Sequence, residues 1–134
     1  MIGGQIQGVM DNPPTVLNHI RAGTLRAVAA ASPRRLPQLP DVPTFDEAGL
    51  KGFEASSWFG MVVPANTPRA VVTRLNSEIV RALREPDMQS RFTGLGAWLA
   101  GNTPEEFAAY IKSERAKWSR IVRDANIKLN YPAR

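Results

Sequence analysis

The chain has 134 residues, 43% of them apolar and 22% charged, an ordinary composition for a single globular domain with no low-complexity tract or internal repeat. Its formal charge of +5 and pI of 10.2 raise nucleic acid, membrane surfaces and anionic small molecules as partners. The absence of cysteine excludes disulfides and thiolate metal sites, and a single histidine, His19, excludes a two-histidine metal centre.

In chain order, Ile6–Met10 alternates like a short strand. Asp11-Asn12-Pro13-Pro14 then opens a helix through Val16, Leu17 and Ile20, with Asn12 as its cap and Gly23 as its stop. Leu25–Ala31, a small-residue run between Gly23 and Ser32-Pro33, reads as a buried strand. The four prolines of Pro33–Pro43 predict an extended surface loop, and Thr44 with Glu47 forms a capping box for a short helix closed by Gly49. Trp58–Val63, ended by Pro64, has the length and the β-branched and aromatic content of a strand buried on both faces.

Thr67-Pro68 predicts a helix with Val72, Leu75, Ile79 and Leu83 on one packed stripe. A further helix starts at Pro86-Asp87 and breaks at Gly94 and Gly96, and Ala97–Ala100 follows as a short strand. Thr103-Pro104-Glu105-Glu106 is the clearest helix start, and its helix carries Phe107, Ile111, Trp118, Ile121 and Val122 on one side to about Asn126. The tail from Ile127 to Arg134 reads as irregular. The order is β-α-β-loop-α-β-α-α-β-α, an α/β chain.

No group of bases, nucleophiles or metal ligands stands out, so the reading is not an enzyme, with no catalytic residue, metal or cofactor. His19 lies mid-helix without an acidic or Ser partner at helical spacing. Glu105-Glu106 are accounted for by capping and the helix dipole. The glycines of Gly3-Gly4 and Gly94-Leu95-Gly96 do not form a phosphate cradle between strand and helix. Trp58, Trp98 and Trp118 lie in apolar contexts that suit a core better than a base-stacking surface. The basic residues alternate with acidic ones along helix faces, so nucleic acid is not the expected partner, although a stand-alone basic module binding nucleic acid or an acidic protein is the alternative. Two places suit a ligand. Asp11 and Asn12 stand at a strand's C-terminal end before a helix, where open α/β sheets bind ligands, though a cap and turn explain them as well. Ser32, at the end of the Ala-rich strand, either meets a ligand or only starts the proline loop.

The runs LRAVAAASPRRLPQLPDVPTFDEAGLKGFEASSWFGMVVPANTP and GNTPEEFAAYIKSERAKWSRIVRDANIK resemble the C-terminal part of the Bug-type extracytoplasmic solute receptors, the substrate-binding proteins of tripartite tricarboxylate transporters. IGGQIQGVMDNPPTVLNHIRAGTLRA is similar to the stretch just before them, so the resemblance runs from Ile2 to about Lys128. It implies an incomplete periplasmic binding protein of the type 2-like α/β fold. Residues 1–24 would end the second lobe, and residues 25–134 would form the C-terminal part of the first, with a hinge strand at 25–32.

The implied function is capture of a small organic carboxylate for membrane transporter subunits, without catalysis. Asp11, Asn12 and Ser32 are the cleft positions that carry over, and the Asp11 carboxylate would need water, a ligand hydroxyl or another donor to meet a carboxylate. The resemblance implies the periplasm, whereas Met1–Gln5 lacks the basic and apolar regions of an export signal, so the chain as written is expected in the cytoplasm. The family's signal, Gly-rich first loop and most of its second lobe have no counterpart in this sequence. Impaired binding, open sheet edges, marginal folding and self-association through uncovered apolar surface are therefore the expectations.

Overall fold

The four strongest helix signals of the sequence are the four helices of the computed structural model, which describes residues 1–128. They are α1 (Pro13–Arg21), α2 (Arg69–Leu83), α3 (Pro86–Gly94) and α4 (Pro104–Asp124). The chain divides into two compact units: the first comprises Met1–Pro64 with Ala82–Leu99, the second Ala65–Arg81 with Ala100–Arg134.

Local chemistry sets the helix ends. At the start of α4 the Thr103 hydroxyl accepts the Glu106 N–H at 3.1 Å, and the Glu106 carboxylate accepts the Thr103 N–H at 2.8 Å, which is the full capping box. Helices α1, α3 and α4 all stop in a Schellman motif. Thr24 N–H donates to the His19 carbonyl and Gly23 N–H to Ile20; Ala97 donates to Phe92 and Gly96 to Thr93; Ile127 donates to Val122 and Asn126 to Arg123. The left-handed residue is glycine in the first two and Asn126, at φ 49°, in the third. Helix α2 begins at Arg69, one residue later than the sequence suggests, with the Pro68 carbonyl accepting Val71 and Val72 N–H. On the expected stripe of α2, Val72, Ile79 and Leu83 are half-buried and Leu75 is exposed.

In the first unit α1 is held by Leu17, only 4% exposed, and by the close approach of Gly96. A Cβ at Gly96 would lie 2.7 Å from Pro13 Cβ and 3.5 Å from Leu17 Cδ1. In the second unit α2 meets the start of α4. Asn76 Nδ2 donates to the Asn102 carbonyl at 2.9 Å, Arg69 pairs with Glu105 at 3.3 Å, and Val80 lies beside Gly101.

The four strands read from the sequence do not form. The one β-bridge among the described residues is the parallel pair Ala30–Thr44, where Ala30 N–H donates to Pro43 and Phe45 N–H to Ala30. Residues 6–10, 58–63 and 97–100 join no ladder. Trp58–Val63, expected to be buried on both faces, leaves Phe59 92%, Met61 68% and Val62 79% exposed. A strand exists only as part of a ladder, and these residues take part in none among the described residues.

The proline-rich loop is also different from its reading. It is not extended but folds into two successive turns, Leu39 N–H to Leu36 and Val42 N–H to Leu39, with Leu36 8% exposed. The capping box at Thr44–Glu47 forms as written, yet it starts a single turn and not a helix, because Gly49 at φ 101° turns the chain away within one turn. Leu50 N–H then closes back on the Phe45 carbonyl.

Two carboxylates hold this turn region. Glu47 accepts Arg35 Nε at 2.8 Å and the Thr44 N–H at 2.8 Å, and Arg35 Nη1 donates onward to the Pro40 carbonyl at 3.0 Å. Asp46 accepts the Gly52 N–H at 2.8 Å and Lys51 Nζ at 3.1 Å. The Glu47 carboxyl is therefore held below its ordinary range, first by Arg35 and then by the Thr44 amide. That of Asp46 is held down first by the Gly52 amide and then by Lys51. Lowered folded-state values mean that this stabilisation is complete above the unfolded-state range of about 4 and is lost as pH falls through the folded values. In an NMR titration the Thr44 and Gly52 amides should keep their bonded shifts down to about pH 4 and move upfield below it. Amides already moving between pH 7 and 5 would contradict the pairing.

Candidate functional site

The candidate ligand residues lie in the first unit, at the entrance to α1 and at the end of the Ala-rich run. Pro13 and Pro14 fix the entry of α1, and Asn12 takes the cap position in extended backbone (φ −79°, ψ 144°). Its side chain, expected to cap, makes no cap bond. Pro14 removes one of the two N–H groups such a side chain could accept, and the other, that of Thr15, donates to the Asn12 carbonyl at 3.1 Å, as the Thr15 hydroxyl does at 2.7 Å. Asp11 Oδ1 accepts the Asn12 N–H at 2.7 Å. Both residues are exposed, so the Asn12 amide is left facing solvent beside a carboxylate. Ser32 is half-buried, and its hydroxyl donates to the Arg34 carbonyl at 2.8 Å, closing the start of the proline loop. No hydrogen bond among the described residues joins Ser32 to Asp11 or Asn12.

One feature of this region was not legible in the sequence. The Arg34 guanidinium lies over the ring of Trp98, 4.8 Å from its centroid. Stacking uses the face of the guanidinium and leaves its N–H edge available to a carboxylate. Arg35, by contrast, is committed to Glu47 and Pro40. The two arginines are adjacent and chemically identical, so nothing in the local sequence separates the stacked one from the paired one.

The other residues weighed for chemistry have structural roles. His19 is exposed and its carbonyl takes the Thr24 N–H and hydroxyl at the end of α1. Glu105 faces Arg69, and Glu106 completes the cap. The tryptophans are not the core expected of them: Trp58, Trp98 and Trp118 are 40%, 39% and 40% exposed. In α4 the buried acid is Glu114, which sequence reasoning passed over. Its carboxylate accepts Lys117 Nζ and Trp118 Nε1, each at 2.9 Å, and it borders a shallow depression with Ser113, Lys117, Arg120 and Arg123. Several basic residues face acids: Arg35–Glu47, Lys51–Asp46, Arg69–Glu105, Arg81–Glu78 and Lys117–Glu114. Among the described residues there is no group of three or more His, Cys, Asp or Glu side chains that could hold a metal ion, and no helix long and apolar enough to cross a membrane.

Comparison with known proteins decides the family. The family model described as "tripartite tricarboxylate transporter family receptor" matches residues 1–127. The chain belongs to this receptor family. A protein of Pseudomonas sp. strain P51, described as a UPF0065 protein in the tcbD-tcbE intergenic region, is 38% identical over 97% of this chain and 39% of its own length. Protein BugT of Bordetella pertussis is 36% identical over 96% of this chain and 40% of its own length. Among solved structures, "R. palustris Rpa4515 with adipate" superposes with a TM-score of 0.84 at 30% identity, covering 93% of this chain and 42% of that one. The periplasmic binding protein BugD superposes with a TM-score of 0.76 at 36% identity, covering 84% and 38%. The fold of this receptor-family chain is thus part of a periplasmic binding protein fold, and the chain spans about two-fifths of the length of the relatives it matches. Members of the family are solute receptors of tripartite tricarboxylate transporters.

Proposed function

We propose that these residues form part of a receptor that captures a small organic carboxylate in the periplasm and passes it to the membrane subunits of a tripartite transporter, catalysing nothing. The observation that carries this reading is the superposition on the adipate-bound R. palustris protein at 30% identity over 93% of the chain. On this reading residues 1–24 end the second lobe, and residues 25–134 belong to the first, with 25–32 as the strand between them. Asp11, Asn12 and Ser32 line the ligand side. The exposed Asn12 amide and the N–H edge of Arg34, in the same turn as Ser32, supply donors that a ligand carboxylate needs and that Asp11 cannot give.

Among the described residues Asp11 and Asn12 are exposed, Ser32 is half-buried and no strand ladder surrounds them, so little ligand surface would be removed from water by these residues on their own. Isothermal titration of this polypeptide with adipate and a panel of other di- and tricarboxylates is therefore expected to give no saturable heat. A micromolar dissociation constant for any of them would show that these residues suffice and would overturn the expectation of impaired binding.

A further inference from the structure

We infer that the turn ending α3, Thr93–Trp98, is the positioning element that joins the two halves of the candidate site, holding Asp11 and Asn12 through Pro13 and Arg34 through Trp98. The inference rests on the carboxylate reading of those residues and adds to it the part that sets their mutual placement. All of these groups lie in the first unit.

The turn is closed by its own backbone. Gly96 N–H donates to the Thr93 carbonyl at 2.8 Å and Ala97 N–H to Phe92 at 3.0 Å, with Gly96 in the left-handed region at φ 77°. On one side Gly96 packs against the entrance of α1, where an added Cβ would lie 2.7 Å from Pro13 Cβ and 3.4 Å from its Cγ. Pro13 follows Asn12 directly, so the pose of Asp11 and Asn12 is tied to this contact. On the other side the Thr93 carbonyl accepts Gln38 Nε2 from the proline loop, 55 positions earlier, and the Trp98 ring lies under the Arg34 guanidinium at 4.8 Å. The loop that carries Ser32 and Arg34 is thus fastened at two points to the same turn that abuts Pro13.

The consequence falls on Arg34. An arginine side chain has many rotamers, and ordering them opposes binding when it happens together with the ligand. Arg35 is ordered by Glu47 and Pro40, whereas Arg34 is ordered by the Trp98 ring, which meets the face of its guanidinium and not the in-plane donors that a carboxylate uses. Trp98 therefore acts on a ligand through Arg34, as a positioning residue.

NMR of the 134-residue chain tests the junction. The ring current of Trp98 holds the Arg34 Hε resonance upfield. Trp98→Leu should return it to the position of an unstacked arginine, Trp98→Phe should keep part of the shift, and Arg35 Hε should not respond. Gly96→Ala, which presses on Pro13, should move Arg34 Hε as well as the Asp11 and Asn12 amides. Gln38→Ala, milder for the fold, should move Arg34 Hε and the Gly96 amide together. The second arm grafts residues 1–127 in place of the matching stretch of the adipate-bound R. palustris protein. There Trp98→Leu should weaken adipate binding about threefold to thirtyfold and Trp98→Phe less, and in an Arg34→Gln background Trp98→Leu should add nothing. Equal losses in both backgrounds, or shifts confined to one side of the turn, would overturn the proposal. A graft that binds no adipate would instead strike the carboxylate reading, with the junction still decided by the shifts.

Discussion

Gly96→Ala is expected to lower the unfolding free energy by about 2–5 kcal/mol, a large share of what a domain of this size has. Two causes add. Gly96 stands at φ 77°, where an L side chain costs about 1–2 kcal/mol. The new Cβ would also come within 2.7 Å of Pro13 Cβ, which cannot move without shifting the entrance of α1, an overpacking cost of about 1–3 kcal/mol. Urea denaturation measures the total. Because Pro13 follows Asn12 directly, the amide shifts of Asp11 and Asn12 should move as well. A variant as stable as the parent would show that α1 and the end of α3 do not meet.

Leu17→Ala is the second large effect. Leu17 is the most buried apolar side chain among the described residues, at 4% exposure, and its Cδ1 lies at the same junction, 3.5 Å from where a Cβ on Gly96 would be. Its truncation should cost about 2–4 kcal/mol, toward the lower part of the range for buried leucines because this unit relaxes easily around a small core. Hydrogen exchange separates the units: protection in α1 should fall, while α4, which lies in the second unit and carries its own capping box, keeps its own. Equal loss in α1 and α4 would mean that the two units unfold as one. The two substitutions share neighbours, so their effects should not add.

The reach of the sequence follows from how each element is specified. Helices were legible because their signals are local. Thr103 and Glu106 satisfy each other's backbone groups across three residues, and Gly23, Gly96 and Asn126 stop their helices through bonds within one turn. Strands were legible only as composition. Trp58–Val63 has the residues of a buried strand, but burial and pairing depend on a second segment distant in sequence, and no ladder forms there among the described residues. The Thr44–Glu47 box marks the middle case, where the local bonds form as read and Gly49 limits them to one turn.

The same division holds for the candidate site. Asp11, Asn12 and Ser32 were found from their places between elements, and the side-chain bonds that occupy Asp11 and Ser32 are with residues one and two positions away. The stacking of Arg34 on Trp98 joins residues far apart in the chain, and no periodicity or motif encodes it. Leu36 was equally hidden, since its burial comes from the turns of a loop whose prolines suggested an extended path.

Titration of adipate into a chimera tests the receptor account most directly. In that chimera residues 1–127 replace the matching stretch of the adipate-bound R. palustris protein, 42% of which this chain covers. The account predicts saturable binding of adipate or a related dicarboxylate, weakened about tenfold or more by Asp11→Ala, as loss of a charged hydrogen-bonding group implies. A folded chimera that binds no small carboxylate, or one whose binding is indifferent to Asp11, Asn12 and Ser32, would contradict it.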